Sequence, residues 1–118
     1  MLLSALIDGG SVSYEEIYWD GSSGFSLDFT ETGANVIVLT GGAGTMNDAA
    51  TALENSDNTT SSAVVIFRDS EATDTNELTM FHTTDLNNNG TENKIAAFDG
   101  QTSDVGDRLD GADFSVIT

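Results

Sequence analysis

The sequence predicts a mainly β domain, an antiparallel β-sandwich-like fold with one short α-helix at about residues 45–54. Short apolar runs recur at fairly regular spacing, and Gly, Asn, Asp and Ser punctuate them; a single segment spaces its apolar residues as a helix does. With 118 residues, of which 38% are hydrophobic, the chain has the material for one compact domain with a real core.

Residues 1–10 read as an apolar N-terminal segment and hinge, and residues 11–118 as a single β-rich domain. Residues 12–19 and 25–29 are joined by Asp20-Gly-Ser-Ser-Gly24, and the second alternates apolar with polar, so the pair reads as a hairpin. Residues 35–40 and 63–67 are continuously apolar and β-branched, which predicts central strands covered on both faces. Between them, Thr45 is placed to cap a helix with Asp48 three residues on, and Met46, Ala49, Ala50 and Leu53 share one stripe. The polar residues 55–62 return the chain as a solvated loop. Residues 77–82, 94–98 and 114–117 complete the expected strands.

Charge narrows the partners. Three Lys and Arg stand against twenty Asp and Glu, a net charge of −17, and the fixed cations are Arg68, Lys94 and Arg108. Little is available to neutralise phosphates, so neither nucleic acid nor an anionic lipid surface is an expected partner; cations are, and acidity of this degree also suits a protein that stays soluble in high salt. The absence of cysteine removes disulfides, thiolate nucleophiles and zinc thiolate sites. The apolar residues 1–7 lack a basic leader and stop at Asp8, too short to cross a bilayer, so neither a signal peptide of the usual kind nor membrane insertion is expected.

The sharpest local motif is Asp85-Leu-Asn-Asn-Asn-Gly90, half of a calcium loop, in which oxygens at alternate positions converge on one centre and Gly permits the turn. An EF-hand is rejected because loop position twelve is Ala96 rather than Glu. A calcium turn held by Asp85, Asn87, Asn89 and Glu92, with help from the acidic loop carrying Asp69 and Asp74, remains open beside a bare turn that uses Asn and Gly for their backbone freedom. A third acidic run, Asp104, Asp107, Asp110 and Asp113, recurs at every third residue and also reads as a solvated turn.

Catalysis finds little support. His82 is the one histidine, it lies in a strand pattern, and no nucleophile elbow is present. Gly41-Gly-Ala-Gly44 lacks the Lys and Ser/Thr of a phosphate loop and reads as a strand-to-helix turn. Tyr18 and Trp19 fit either core packing or a carbohydrate contact. Asn58-Thr-Thr60 and Asn89-Gly-Thr91 match the glycosylation sequon, as expected by chance in a chain rich in Asn and Thr.

From about residue 35 onward, the order of motifs resembles bluetail and RTX-type acidic bacterial surface or secreted domains. The carriers are the Asn35-Val-Ile-Val-Leu-Thr-Gly strand, the Ala-rich helix, Ala63-Val-Val-Ile-Phe-Arg-Asp, Glu77-Leu-Thr-Met-Phe-His, the Asp85 turn, Lys94-Ile-Ala-Ala-Phe-Asp-Gly and Leu109-Asp-Gly-Ala-Asp-Phe. The Gly-Gly-x-Gly-x-Asp nonapeptide of the RTX roll is absent. The resemblance implies an extracellular or cell-surface location and type I export without an N-terminal signal; residues 113–118, an acid before a short apolar tail, fit such an export signal or an ordinary terminal strand.

The expectation is a non-enzymatic extracellular structural subunit that self-associates into a homo-oligomer or polymer, as a surface layer or filament, with calcium shielding its carboxylates. Met1, Leu2, Leu3, Leu6 and Ile7, next to the Asp8-Gly-Gly10 hinge, are the candidate self-association segment, completing a neighbour's sheet by strand addition or folding back as an edge of their own domain. The alternative is a calcium-dependent adhesion or carbohydrate-binding module with a glycan as ligand.

Overall fold

The computed structural model describes residues 11–71, 77–87 and 92–99. Their strands are β1 (Tyr14–Trp19), β2 (Val36–Gly44), β3 (Ala63–Asp69), β4 (Glu77–Thr83) and β5 (Glu92–Asp99), with α1 (Met46–Glu54) between β2 and β3. All five strands belong to one mixed sheet in the order β1-β2-β3-β4-β5.

The mainly β class with one short helix is what the sequence predicts, but the pairing differs from an all-antiparallel arrangement. β1 runs parallel to β2, with Tyr14 opposite Val36 and Trp19 opposite Gly41, and β2 runs parallel to β3. Only β3 with β4 and β4 with β5 are antiparallel. Parallel neighbours need long crossovers, and residues 20–35 and the α1 connection supply them.

The expected hairpin of residues 12–19 with 25–29 does not form. Residues 25–29 make no strand, although Leu27 and Phe29 are buried and Ser26 and Asp28 exposed. The alternation is real, but it serves an extended crossover lying over the core; the Phe29 amide donates to Asp57 Oδ1 at 2.9 Å, and β1 pairs with β2.

β2 and β3 are central, and their continuous apolar runs are buried on both faces. On one face Ile17, Trp19, Ile37, Leu39, Val65, Phe67 and Phe81 meet Ala49, Ala52 and Leu53 of α1 and the crossover's Leu27 and Phe29. Phe67 ties this face together, edge-on to Trp19 at 6.4 Å and to Phe81 at 5.6 Å. On the other face Val36, Val38, Val64, Ile66, Leu78 and Met80 form a second buried cluster, with Val12 and Tyr14 packed against it.

The helix begins where the sequence places it. Thr45 Oγ1 accepts from the Asp48 amide at 3.0 Å, and Asp48 Oδ2 accepts from the Thr45 amide at 3.2 Å, a complete capping box with an acid in the first turn. Residues 55–62 are less solvated than expected, because Asn58 is 2% exposed and Thr60 is buried. The Asn58 Nδ2 donates to the Ala34 carbonyl at 2.9 Å and its Oδ1 accepts from the Thr60 amide at 2.7 Å, pinning the loop to the start of β2.

Candidate functional site

Close packing at one end of the sheet accounts for the glycine-rich segment. Gly41, Gly42 and Gly44 lie within β2, not in a separate turn, and face the Trp19–Asp20–Gly21 backbone at close range. Gly41 has φ +101°, and a Cβ on Gly44 would lie 2.6 Å from Trp19 Cη2. The Trp19 indole N–H donates to the Ser22 carbonyl at 2.8 Å, and both the amide and hydroxyl of Ser22 donate to Asp20 Oδ1. These bonds, the hydroxyl's first, hold the exposed Asp20 carboxyl below its ordinary value. The bare glycines let two backbones meet.

The acidic candidates are divided between opposite ends of the β3–β4 hairpin. Asp69 ends β3 beside Gly44, its Oδ1 accepting from the Glu71 amide at 2.9 Å and its Oδ2 from the Thr79 hydroxyl at 3.3 Å. Asp85 follows β4 at the end where Ala63 pairs with Thr83, a strand length of roughly 20 Å away at about 3.3 Å per residue. Beside Asp85, Leu86 is buried in the core with its amide bonded to the Ser61 carbonyl, and Asn87 Nδ2 donates to the Thr60 carbonyl at 3.4 Å. Glu92 opens β5 opposite Thr83. Asn89 and Asp74 lie outside the described residues, as do Met1, Leu2, Leu3, Leu6 and Ile7, the acids of residues 104–113 and the expected strand at 114–117. Among the described residues no group of three or more His, Cys, Asp or Glu is placed to hold a metal ion, and no helix is long and apolar enough to cross a membrane.

His82 sits in the ladder between Val64 and Asn93. Its buried Nε2 has no hydrogen-bond partner among the described residues. Trp19 is fully buried, closed to a ligand, whereas Tyr18 is 60% exposed with Phe25 edge-on at 5.5 Å. The sequon at Asn58 is closed, since the nitrogen that would carry a glycan is buried and bonded to Ala34.

The most distinctive surface is β5. Asn93, Lys94, Ile95, Ala96 and Ala97 are exposed in succession, on both faces of the strand, and among the described strands β5 is an edge. Ile95 is 43% exposed. The ladder sets Phe81 opposite Lys94 and Met80 opposite Ala96, which inserts Ile95 as a bulge. Sequence reasoning placed a strand here but missed its exposure; a lysine heading a short run of small apolar residues was the available signal.

No family model, curated protein or solved structure matches the chain.

Proposed function

We propose that this chain is a non-enzymatic extracellular structural subunit that self-associates through exposed sheet edges, building a surface layer or filament-like polymer. The observation that supports it most is β5, a strand bonded to β4 on one side and exposed from Asn93 to Ala97. An edge strand exposed in this way is a template for another chain, and Ile95 and its alanines gain burial on pairing. The apolar residues 1–7 provide a second route by strand addition. The sandwich-like arrangement belongs to this reading, since complete burial of Val36, Val38, Val64 and Ile66 opposite α1 favours a second layer there.

Copies carrying −17 each repel one another, so assembly calls for screening, and calcium outside the cell is the cation that carboxylates favour. Type I export and a surface location fit the acidic, cysteine-free composition. The test is sedimentation velocity of the full chain in millimolar calcium and again with chelator. Assembly that needs calcium supports a cation-gated polymer; assembly in both supports edge or N-terminal pairing without the ion; a monomer in both overturns the reading. A carbohydrate-binding module is the second reading, resting on exposed Tyr18, and saturable glycan binding lost in Tyr18→Ala would favour it.

A further inference from the structure

Alternation along β1 sorts its side chains onto two faces. Ile17 and Trp19 point into the core shared with α1, so Glu16 and Tyr18 take the opposite face, and the Tyr14 hydroxyl, donating to Glu16 Oε1 at 2.8 Å, places Tyr14 there with them. Trp19 pairs with Gly41, and the close approach of the Asp20 backbone to Gly42 carries the same course one residue further. Aromatic rings and carboxylates thus alternate through Tyr14, Glu16, Tyr18 and Asp20, of which the last three are exposed.

The Tyr18 ring is held ready for contact. Gly41, at φ +101°, lacks the Cβ that would collide with Tyr18 Cε2, so one ring edge rests on bare backbone, while Phe25 stands edge-on at 5.5 Å. Supported on two sides and still 60% exposed, the ring has little rotamer freedom left to lose on binding. Ser22 pins Asp20 through Oδ1, and Tyr14 holds Glu16 through Oε1; each carboxylate can accept further hydrogen bonds.

We propose that this stripe binds an extended, arginine-bearing segment of a different polypeptide, with one guanidinium over the Tyr18 ring and its neighbouring cations on Glu16 and Asp20. Cations are attracted to aromatic faces, and the planar guanidinium stacks on them where an ammonium does not. Alternate residues of a strand lie about 6.6 Å apart, and an extended ligand repeats at the same interval, so cations at every second ligand position meet Glu16, Tyr18 and Asp20 in turn.

Charge selects the partner. A second copy of this chain brings only three Lys and Arg with its twenty acids, and phosphate-bearing ligands are repelled by a charge of −17. The stripe lies on β1, at the other end of the described strand order from β5, and stands independently of the self-association reading.

The test is isothermal titration calorimetry of the full chain with the end-capped peptide Arg-Ser-Arg-Ser-Arg at about 0.1 M salt, with circular dichroism confirming the fold of every variant. Binding should survive Tyr18→Phe and weaken about threefold to fivefold in Tyr18→Leu, which keeps bulk against Phe25 but loses the aromatic face. Glu16→Gln with Asp20→Asn should weaken it about threefold or more, whereas Asp28→Asn with Glu54→Gln, the same charge change elsewhere on the chain, should stay within about twofold. The lysine version of the peptide should bind less tightly than the arginine one. Equal affinity in Tyr18→Leu and the wild type, or equal losses from the two acid pairs, would reduce the binding to the general attraction of an acidic protein and overturn the site, as would no binding at all. Tyr18-dependent binding of a neutral cello-oligosaccharide, with none of the peptide, would assign the ring to a glycan and also overturn it.

Discussion

Phe81 and Lys94 are ladder partners across β4 and β5, yet Phe81 is fully buried and Lys94 is exposed. The cover that the described residues give the sheet therefore ends between two ladder partners. α1 packs on β3, and a helix about 10 Å across spans about two strand spacings of 4.8 Å, so Glu92 at the start of β5 still shares a small cavity with Ala50 and Leu53 while Asn93 to Ala97 are exposed. That limit turns one strand of the fold into a surface.

The same limit predicts opposite responses on the two sides of the ladder. Phe81→Ala should cost about 3–5 kcal/mol, because Phe67 and the helix face lose their packing partner. Ile95→Thr should change stability by no more than about 0.5 kcal/mol while weakening self-association. Denaturant unfolding beside a concentration series separates the effects; a large stability loss in Ile95→Thr would mean that β5 is covered after all.

At the glycine-rich end, Gly44→Ala should destabilise by about 1–3 kcal/mol, since its methyl group meets Trp19 and the Gly21 carbonyl. Tryptophan fluorescence reports the displacement directly, as Trp19 is the one tryptophan. An unchanged spectrum and midpoint would remove the close-packing explanation of these glycines.

Asn58→Ala should cost about 1–3 kcal/mol by leaving the Ala34 carbonyl and Thr60 amide unpaired in a buried loop. Expression in a glycosylating host should leave Asn58 unmodified in the folded protein, checked by mass spectrometry of the peptide that carries it.

His82→Leu should hold or raise the unfolding midpoint, because it replaces a buried nitrogen lacking a described partner with an apolar group of similar size beside Val64. A loss of more than about 1 kcal/mol would show that the imidazole is bonded.

Asp20 sets a pH dependence with a definite sign. Its folded pKa lies below the ordinary carboxylate value of 3.8, so its contribution is present above that value and fades as pH falls through the folded one. Ser22→Ala removes the hydroxyl bond but keeps the amide bond, so the Asp20 titration followed by NMR should move part of the way back up. No upward movement would mean that the hydroxyl is not what stabilises the charge.

Sequence was most informative where local chemistry and packing agree. The Thr45 and Asp48 capping box marks the helix without tertiary information, and the unbroken apolar runs of β2 and β3 mark strands buried on both faces. The alternation at residues 25–29 was misleading because it reports that a segment lies half-buried, not whether its backbone has a ladder neighbour. Asp69 and Asp85 looked available to one ion because spacing in the chain does not show that β3 and β4 hold them at opposite ends. The exposure of Lys94 and Ile95 depends on how far α1 reaches, to which the lysine heading this short apolar run is the one local pointer.

The most direct test of edge-driven assembly is sedimentation velocity of the full chain over a concentration series at about 0.1 M and 1 M salt, with Ile95→Thr run alongside. Raising salt shortens the screening length from about 10 Å to 3 Å and relieves repulsion between copies carrying −17 each. Edge pairing predicts concentration-dependent association that strengthens in high salt and is weaker in Ile95→Thr under both conditions. A monomer at every concentration and salt, or association indifferent to Ile95, would contradict it.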